Sequence, residues 1–221
     1  VGTPFTFAYE QVGTNCGLIG KNAAVEVDGA AYWMSDNGFF RFTGKLESMD
    51  CLVEDYVYDD INTTSNQFIY CGINNLFGEV IWFYPTADSN VVNRCVVYSY
   101  LDSTPQRPIW FTNASSIFPR STWIDSAIFG NPHATAYDAG VDTSFDVTGN
   151  TDGTSIYYEH ETGVNYIKGG TTYAVPAEIL SGDFDITQDE KRGITFRGDG
   201  EYIMRVSRFL PDFISQAGNT I

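Results

Sequence analysis

Between Ala24 and Met49 the chain carries four short apolar and aromatic runs, separated by three glycine-bearing turns. Ala24-Val25-Glu26-Val27 is followed by Asp28-Gly29, then by Ala31-Tyr32-Trp33-Met34 and Asp36-Asn37-Gly38. Phe39-Phe40-Arg41-Phe42, Gly44 and Leu46-Glu47-Ser48-Met49 complete the set. Runs of this length, rich in residues that suit a pleated surface and bounded by D-G and N-G turns, predict four antiparallel strands joined as hairpins. Helical periodicity is almost absent along the rest of the chain, and the same texture continues. The fold class expected is all-β. A four-stranded meander of this length has the size of one propeller blade.

Internal similarity sharpens that expectation. Gly29-x-x-x-Trp33 recurs 49 residues later as Gly78-x-x-x-Trp82, and Gly153-x-x-x-Tyr157 reads as a degraded third copy. The first unit is placed at 15–51. The second, 68–112, is built from Phe68–Ile73, Glu79–Tyr84, Arg94–Tyr100 and Ile109–Thr112. The third, 123–180, takes Trp123–Phe129, Ala134–Tyr137, Ser155–His160 and Tyr173–Leu180, with a Gly/Asp/Thr-rich insertion at 140–154. The domain reading is therefore about three blades over 1–180, then a closing strand and C-terminal extension over 181–221. Within that extension the alternation around Ile203–Val206, ended by Pro211, reads as a half-buried strand. A β-sandwich with similar turn spacing is the competing architecture.

Composition narrows the functional classes. The chain has 221 residues with 28 acidic against 12 basic side chains, a net charge of −16. Wrapping nucleic acid needs clustered Lys and Arg, so that class is disfavoured. No run approaches the roughly 18 apolar residues of a membrane-spanning helix, and no secretory leader pattern opens the sequence. The start at Val1, without Met and directly into a strand-like run, reads as a piece of something longer. Cys16, Cys51, Cys71 and Cys95 contain no C-x-x-C and are too sparse for a disulfide framework. They are read as free, buried thiols of a protein assembled in a reducing cytoplasm.

A distinctive wording accompanies these patterns: Asn15-Cys16-Gly17-Leu18-Ile19-Gly20, Val25-Glu26-Val27-Asp28-Gly29, Tyr32-Trp33-Met34-Ser35 and Phe39-Phe40-Arg41-Phe42-Thr43-Gly44. Trp82-Phe83-Tyr84-Pro85, Glu159-His160-Glu161-Thr162-Gly163 and Ser181-Gly182-Asp183-Phe184-Asp185 extend it. Together these blocks, scattered over most of 15–213, resemble the packaged-DNA stabilisation proteins of short-tailed bacteriophages, also called tail accessory factors or nozzle proteins. The resemblance implies a β-propeller-bearing structural virion protein in the neck or tail, below the portal, that retains packaged DNA and conducts it at ejection. It implies no enzyme, no cofactor and no membrane partner. The implied partners are copies of itself in a homo-oligomeric ring (a hexamer), the portal or adaptor and other tail proteins, and DNA passing without sequence-specific binding. The implied location is the virion, after assembly in the host bacterial cytoplasm. It also implies that the chain is the C-terminal part of a longer polypeptide, because a propeller needs at least four blades to close.

No catalytic, cofactor-binding or metal-ligating set is assigned from the residues. With two histidines and no G-x-S-x-G, nothing supports a nucleophile triad. His160, between Glu159 and Glu161 in a strand-like run, is expected to turn its ring away from both carboxylates. It reads as a packing histidine, and His133, after Pro132, as a loop residue. The enzymatic rival is a tail-associated glycan-binding or depolymerising propeller, for which paired carboxylates are required. The pairs available are Asp183 with Asp185, Asp59 with Asp60, and Glu159 with Glu161. Asp183, Asp185, Asp189 and Glu190 resemble an oxygen-rich calcium loop, but the spacing departs from the EF-hand pattern and a solvated acidic turn is the preferred reading. Tyr32, Trp33, Phe39, Phe40, Trp82, Phe83, Tyr84, Trp110 and Trp123 are read as core rather than as a sugar platform, with Trp33 and Trp82 as equivalent core residues. Asn62-Thr63-Thr64 and Asn113-Ala114-Ser115 match a glycosylation pattern that means nothing in a phage product. The acid excess has two readings, a channel wall that repels sliding DNA or plain solubility.

Overall fold

The computed structural model describes residues 11–113, 120–138, 154–168 and 171–174. These divide into two compact units, with the boundary between Glu161 and Thr162. The first is a series of antiparallel meanders. Strands β1 (Ala24–Val27), β2 (Ala30–Ser35), β3 (Gly38–Phe42) and β4 (Leu46–Met49) form one sheet in chain order. A second four-stranded sheet runs β5 (Tyr70–Asn74), β6 (Glu79–Tyr84), β7 (Arg94–Ser99) and β8 (Trp110–Asn113). The third contains β9 (Thr122–Ile124), β10 (His133–Asp138) and β11 (Thr154–Glu159). In the second unit β12 (Asn165–Lys168) pairs with β13 (Thr171–Ala174) as a hairpin. The protein is thus mostly β, with two complete four-stranded antiparallel sheets among the described residues.

The turn chemistry explains the first sheet. Val27 pairs with Ala30, leaving Asp28 and Gly29 as a two-residue loop with φ of 52° and 77°. Both central residues lie in the left-handed region, the turn whose twist matches the flanking strands. At the next hairpin Ser35 pairs with Gly38, so the loop residues are Asp36 and Asn37 and the glycine opens β3 at φ 120°. The 49-residue repeat holds in register. Gly29 precedes β2 as Gly78 precedes β6, and Trp33 and Trp82 are each the fourth residue of the strand that follows. Tyr157 breaks the series: it stands on β11, the third strand of its sheet rather than the second. Gly153 and the insertion at 140–153 lie outside the described residues.

The sheets pack face to face in chain order. Tyr32, Met34 and Phe39 of the first sheet meet Val80, Trp82, Val96, Tyr98 and Trp110 of the second in one buried cluster. The opposite face of the second sheet, through Ile81, Phe83 and Cys95, meets Trp123 and Ala134 of the third. Alternation along β6 assigns successive side chains to the two cores. First strands lie together: β1 against β5, and β5 against β9. Between β1 and β5 the Asn22 carbonyl accepts from the Cys71 amide at 2.8 Å, in a parallel bridge between Asn22 and Tyr70.

The first and second sheets are joined by a short helix, α1 (Glu54–Tyr58), and a 3-10 segment, Thr63–Phe68, which the strand-based reading did not anticipate. Five residues are too few to generate a periodic signal. The local signal was Asn62, whose side-chain oxygen accepts from the Thr64 and Ser65 amides. Its amide nitrogen donates to Ser89 O at 2.8 Å. Both ends of this side chain are therefore engaged in the fold.

All four cysteines are free thiols; Cys51, Cys71 and Cys95 are buried and Cys16 is half-buried. Burial pushes the thiols of Cys51 and Cys95 up to about 12. A thiol reagent at pH 8 should therefore modify one cysteine quickly, Cys16, and the other three only after denaturation. Rapid labelling of two or more thiols in the native chain would contradict this packing.

Candidate functional site

The indole nitrogens reveal how the sheets are locked. Trp82 Nε1 donates to Ala23 O at 3.0 Å, and Trp110 Nε1 donates to Asp50 O at 2.9 Å, both from the second sheet to chain flanking the first. Trp123 Nε1, from the third sheet, donates to Ile73 O at 2.6 Å on the second. Each large ring thus buries its apolar body and satisfies its polar end on the neighbouring layer. Gly72 receives Trp123: a Cβ at that position would stand 2.6–2.9 Å from the indole. Glycine is required there for the approach of the ring, not for its φ.

The outer faces of the series remain partly open. On the first sheet Ala31, Trp33, Phe40, Phe42 and Leu46 are only half-buried, although Trp33 is the register equivalent of fully buried Trp82. Trp33 stacks on Phe40 with ring centroids 5.8 Å apart and donates to Cys16 O at 2.7 Å. The expected equivalence of Trp33 and Trp82 therefore holds for strand position and fails for burial: a preceding sheet is absent among the described residues. On the third sheet Tyr157 is 66% exposed and Ile124 51%, and His133 lies between Tyr157 and Phe129. His133 is in β10 rather than in a loop, where it pairs with both Ile124 and Glu159.

Of the candidate acid pairs, Glu159 and Glu161 turn their carboxylates to different partners. Asp59 caps α1, with its amide donating to Asp55 O, whereas the Asp60 carbonyl accepts from Ala87 N at 2.6 Å. Glu159 ends β11 and accepts from Asn131 Nδ2 at 3.1 Å. Glu161, at φ 58°, has left the strand and accepts from Asn74 Nδ2 at 3.1 Å. The left-handed residue ends the alternation on which a shared face depended. Asp183, Asp185, Asp189 and Glu190 lie outside the described residues, as does the expected closing strand. Among the described residues no three His, Cys, Asp or Glu side chains stand close enough to hold a metal.

His160 packs inside the third sheet's cluster, as a packing histidine should. Its ring lies 4.6 Å from that of Trp123, and its Nε2 accepts from Arg120 Nε at 2.9 Å. Arg120 is buried, with its guanidinium 4.0 Å from the centre of the Tyr158 ring. Burial first, then the neighbouring Arg120 charge, lowers the histidine to about 3. The unfolded chain protonates this histidine near 6.5, so it takes up a proton on acidification before the folded chain does. Stability is therefore lost as the pH falls from about 6.5 towards 3, about 2 kcal/mol of it by pH 5. A His160→Gln variant should show a flatter stability profile between pH 7 and 5 than wild type, measured as urea midpoints. Parallel profiles would mean that His160 titrates normally.

A second acidic neighbourhood sits at one end of the second sheet. Burial, then the charges of Glu161 and Asp102, raise the Glu79 carboxyl above its ordinary range. Asn74, which pairs with Glu79 across the ladder, is buried beside it. Ser99 Oγ donates to Asp102 Oδ2 at 3.2 Å. The cluster is an electrostatic load that the surrounding ladder holds in place.

No protein-family model matches the chain, and no curated protein matches it. The functional reading therefore rests on the fold, the charge and the wording of the sequence. The main structural feature of the described residues is the stacked series of sheets locked by tryptophan side chains.

Proposed function

We propose that the chain is part of a β-propeller and serves as a structural component of a short-tailed bacteriophage neck or tail, where it surrounds packaged DNA and conducts it at ejection. The observation that carries the propeller reading is the placement of the first strands. β1, β5 and β9 lie side by side while their sheets follow one another face to face. A sandwich uses two layers; here the middle sheet buries both faces, and the layers continue in chain order. That serial arrangement fits blades around an axis. The virion role is supported by the sequence resemblance, and the net charge of −16 suits a conduit that must not grip its cargo.

Antibodies against the chain should label the neck of intact particles, and the purified protein should not retard duplex DNA even at low salt, where attraction is least screened. Labelling elsewhere on the particle, or loss of host-glycan cleavage in particles lacking the chain, would replace this role with the depolymerase reading. Tight low-salt DNA binding would remove the conduit argument.

A further inference from the structure

The second and third sheets meet at one end in a row of acidic and amide side chains. Asn74, Glu79 and Ser99 stand opposite one another across β5, β6 and β7, so their side chains share one face. By alternation that face also carries Gly72, Ile81 and Cys95, which meet Trp123 and Ala134, so it is the face turned to the third sheet. Glu161, two residues beyond β11 of the third sheet, joins the row by accepting from Asn74 Nδ2 at 3.1 Å. Asp102 flanks its other end, where Ser99 Oγ donates to it at 3.2 Å. Asp125, just after β9, accepts from the Asn75 amide at 2.7 Å and fixes the third sheet to the same turn.

Two features of this row are costly as they stand. Asn74 is only 2% exposed, yet its Oδ1 has no hydrogen-bond partner, whereas buried acceptors are normally satisfied. Turning the amide over would set Oδ1 against the Glu161 carboxylate and lose the Nδ2 bond. Glu79 is the direct cross-strand neighbour of Asn74, with Cβ atoms about 5 Å apart in such pairs. Among the described residues no Lys or Arg forms an ion pair with Glu79, Asp102 or Glu161. Burial and the charges of the other two hold the Glu79 carboxyl above its ordinary range. An unpaired amide oxygen beside uncompensated carboxylates is the donor chemistry that suits a hard cation. We propose that Asn74 Oδ1, Glu79 and Glu161 bind a calcium ion at this end of the junction, with water completing the shell. Two carboxylates balance the ion's charge, and the amide oxygen gains the partner it lacks. Calcium accepts about six to eight oxygens in a flexible cage, whereas magnesium demands a near-ideal octahedron. Three carboxylates do not stand close enough to ligate together, so Asp102 acts through its field and not through a bond. So few protein ligands place the affinity at the weak end of the calcium range, a Kd of about 0.1–1 mM. The ion ties the second sheet, through Asn74 and Glu79, to the chain leaving the third, through Glu161. The inference needs only the packing of these two sheets and is independent of the propeller and virion readings.

The test measures urea midpoints of the full chain, stripped of metal by a chelator and then titrated with calcium chloride. A background of about 0.15 M potassium chloride screens diffuse charge effects in advance. At about 10 mM calcium, roughly ten to a hundred times the expected Kd, the folded-to-unfolded ratio should rise by about the same factor. Glu161→Gln keeps an acceptor for Asn74 and removes a ligand charge, so it should lose most of that rise. Its metal-free midpoint should stay level or increase, because repulsion on Glu79 is relieved. Glu159→Gln removes the same charge two residues away, where the carboxylate faces Asn131, and should keep the full calcium response. No calcium response, an equal response to the same concentration of magnesium chloride, or equal losses in the two glutamine variants would overturn the site. A midpoint that responds to pH between about 5 and 8 but not to calcium would overturn it too, by placing a proton on Glu79, bonded to Asn74 Oδ1, where the ion is proposed.

Discussion

Trp82→Ala is expected to destabilise the fold by about 3–5 kcal/mol, the range for removing a fully buried large aromatic from a core. Trp82 has no exposed surface, packs on Phe39 and Trp110 with centroids 5.0 and 6.0 Å away, and its indole donates to Ala23 O. The substitution therefore opens a cavity between two sheets and removes one of the two donors to the Ala23 carbonyl, the Met34 amide remaining. Trp33→Ala, at the equivalent strand position, should cost only about 1–2 kcal/mol in the dilute chain because the ring is half-buried. Denaturant midpoints for the two variants, measured side by side, decide the matter. Equal losses would mean that the first sheet's outer face is as well covered as the junction between sheets, and the distinction drawn between them would fail.

Gly72→Val should destabilise by about 3 kcal/mol, at the upper end of ordinary overpacking. Its first added carbon already stands 2.6 Å from the Trp123 ring, and the two methyl groups extend further into it. Trp123 has little room to retreat. It is held by its bond to Ile73 O, by Phe83 at 5.9 Å and by His160 at 4.6 Å. The damage should be local: amide exchange should quicken in β5 and β9 before it does in β2 and β3. The double variant Gly72→Val, Trp123→Ala should recover part of the loss, since the clash needs both side chains. Uniform loss across all sheets, with no recovery in the double variant, would show that Gly72 matters for some other reason.

Much of the architecture was legible as local chemistry. Period-two runs and glycine-bearing turns carry their own geometry, so Glu79–Tyr84 and Arg94–Ser99 fall close to where alternation placed them. The two-residue Asp28-Gly29 turn is likewise dictated by residues that tolerate positive φ. Regularity ended where local signals were weak. The five residues of α1 are too short to show a period, β12 was hidden among glycines, and the strand expected over Trp123–Phe129 stops at Ile124.

What only the tertiary structure decided is which face of each strand meets which neighbour. Alternation says that Trp82 and Phe83 point to opposite sides, but not that one side faces the first sheet and the other the third. The same limit governs the acid pairs. Glu159 and Glu161 share a strand face on paper, yet a single left-handed residue at Glu161 sends one carboxylate to Asn131 and the other to Asn74. It also governs burial, since Trp33 and Trp82 have the same place in the repeat and differ because, among the described residues, only Trp82 has a sheet packed before its own. Turn type and strand period arise from interactions a few residues apart, which the sequence contains. Face assignment arises from contacts tens of residues apart, such as Trp82 with Ala23 and Trp123 with Ile73, and exists only once the layers have packed.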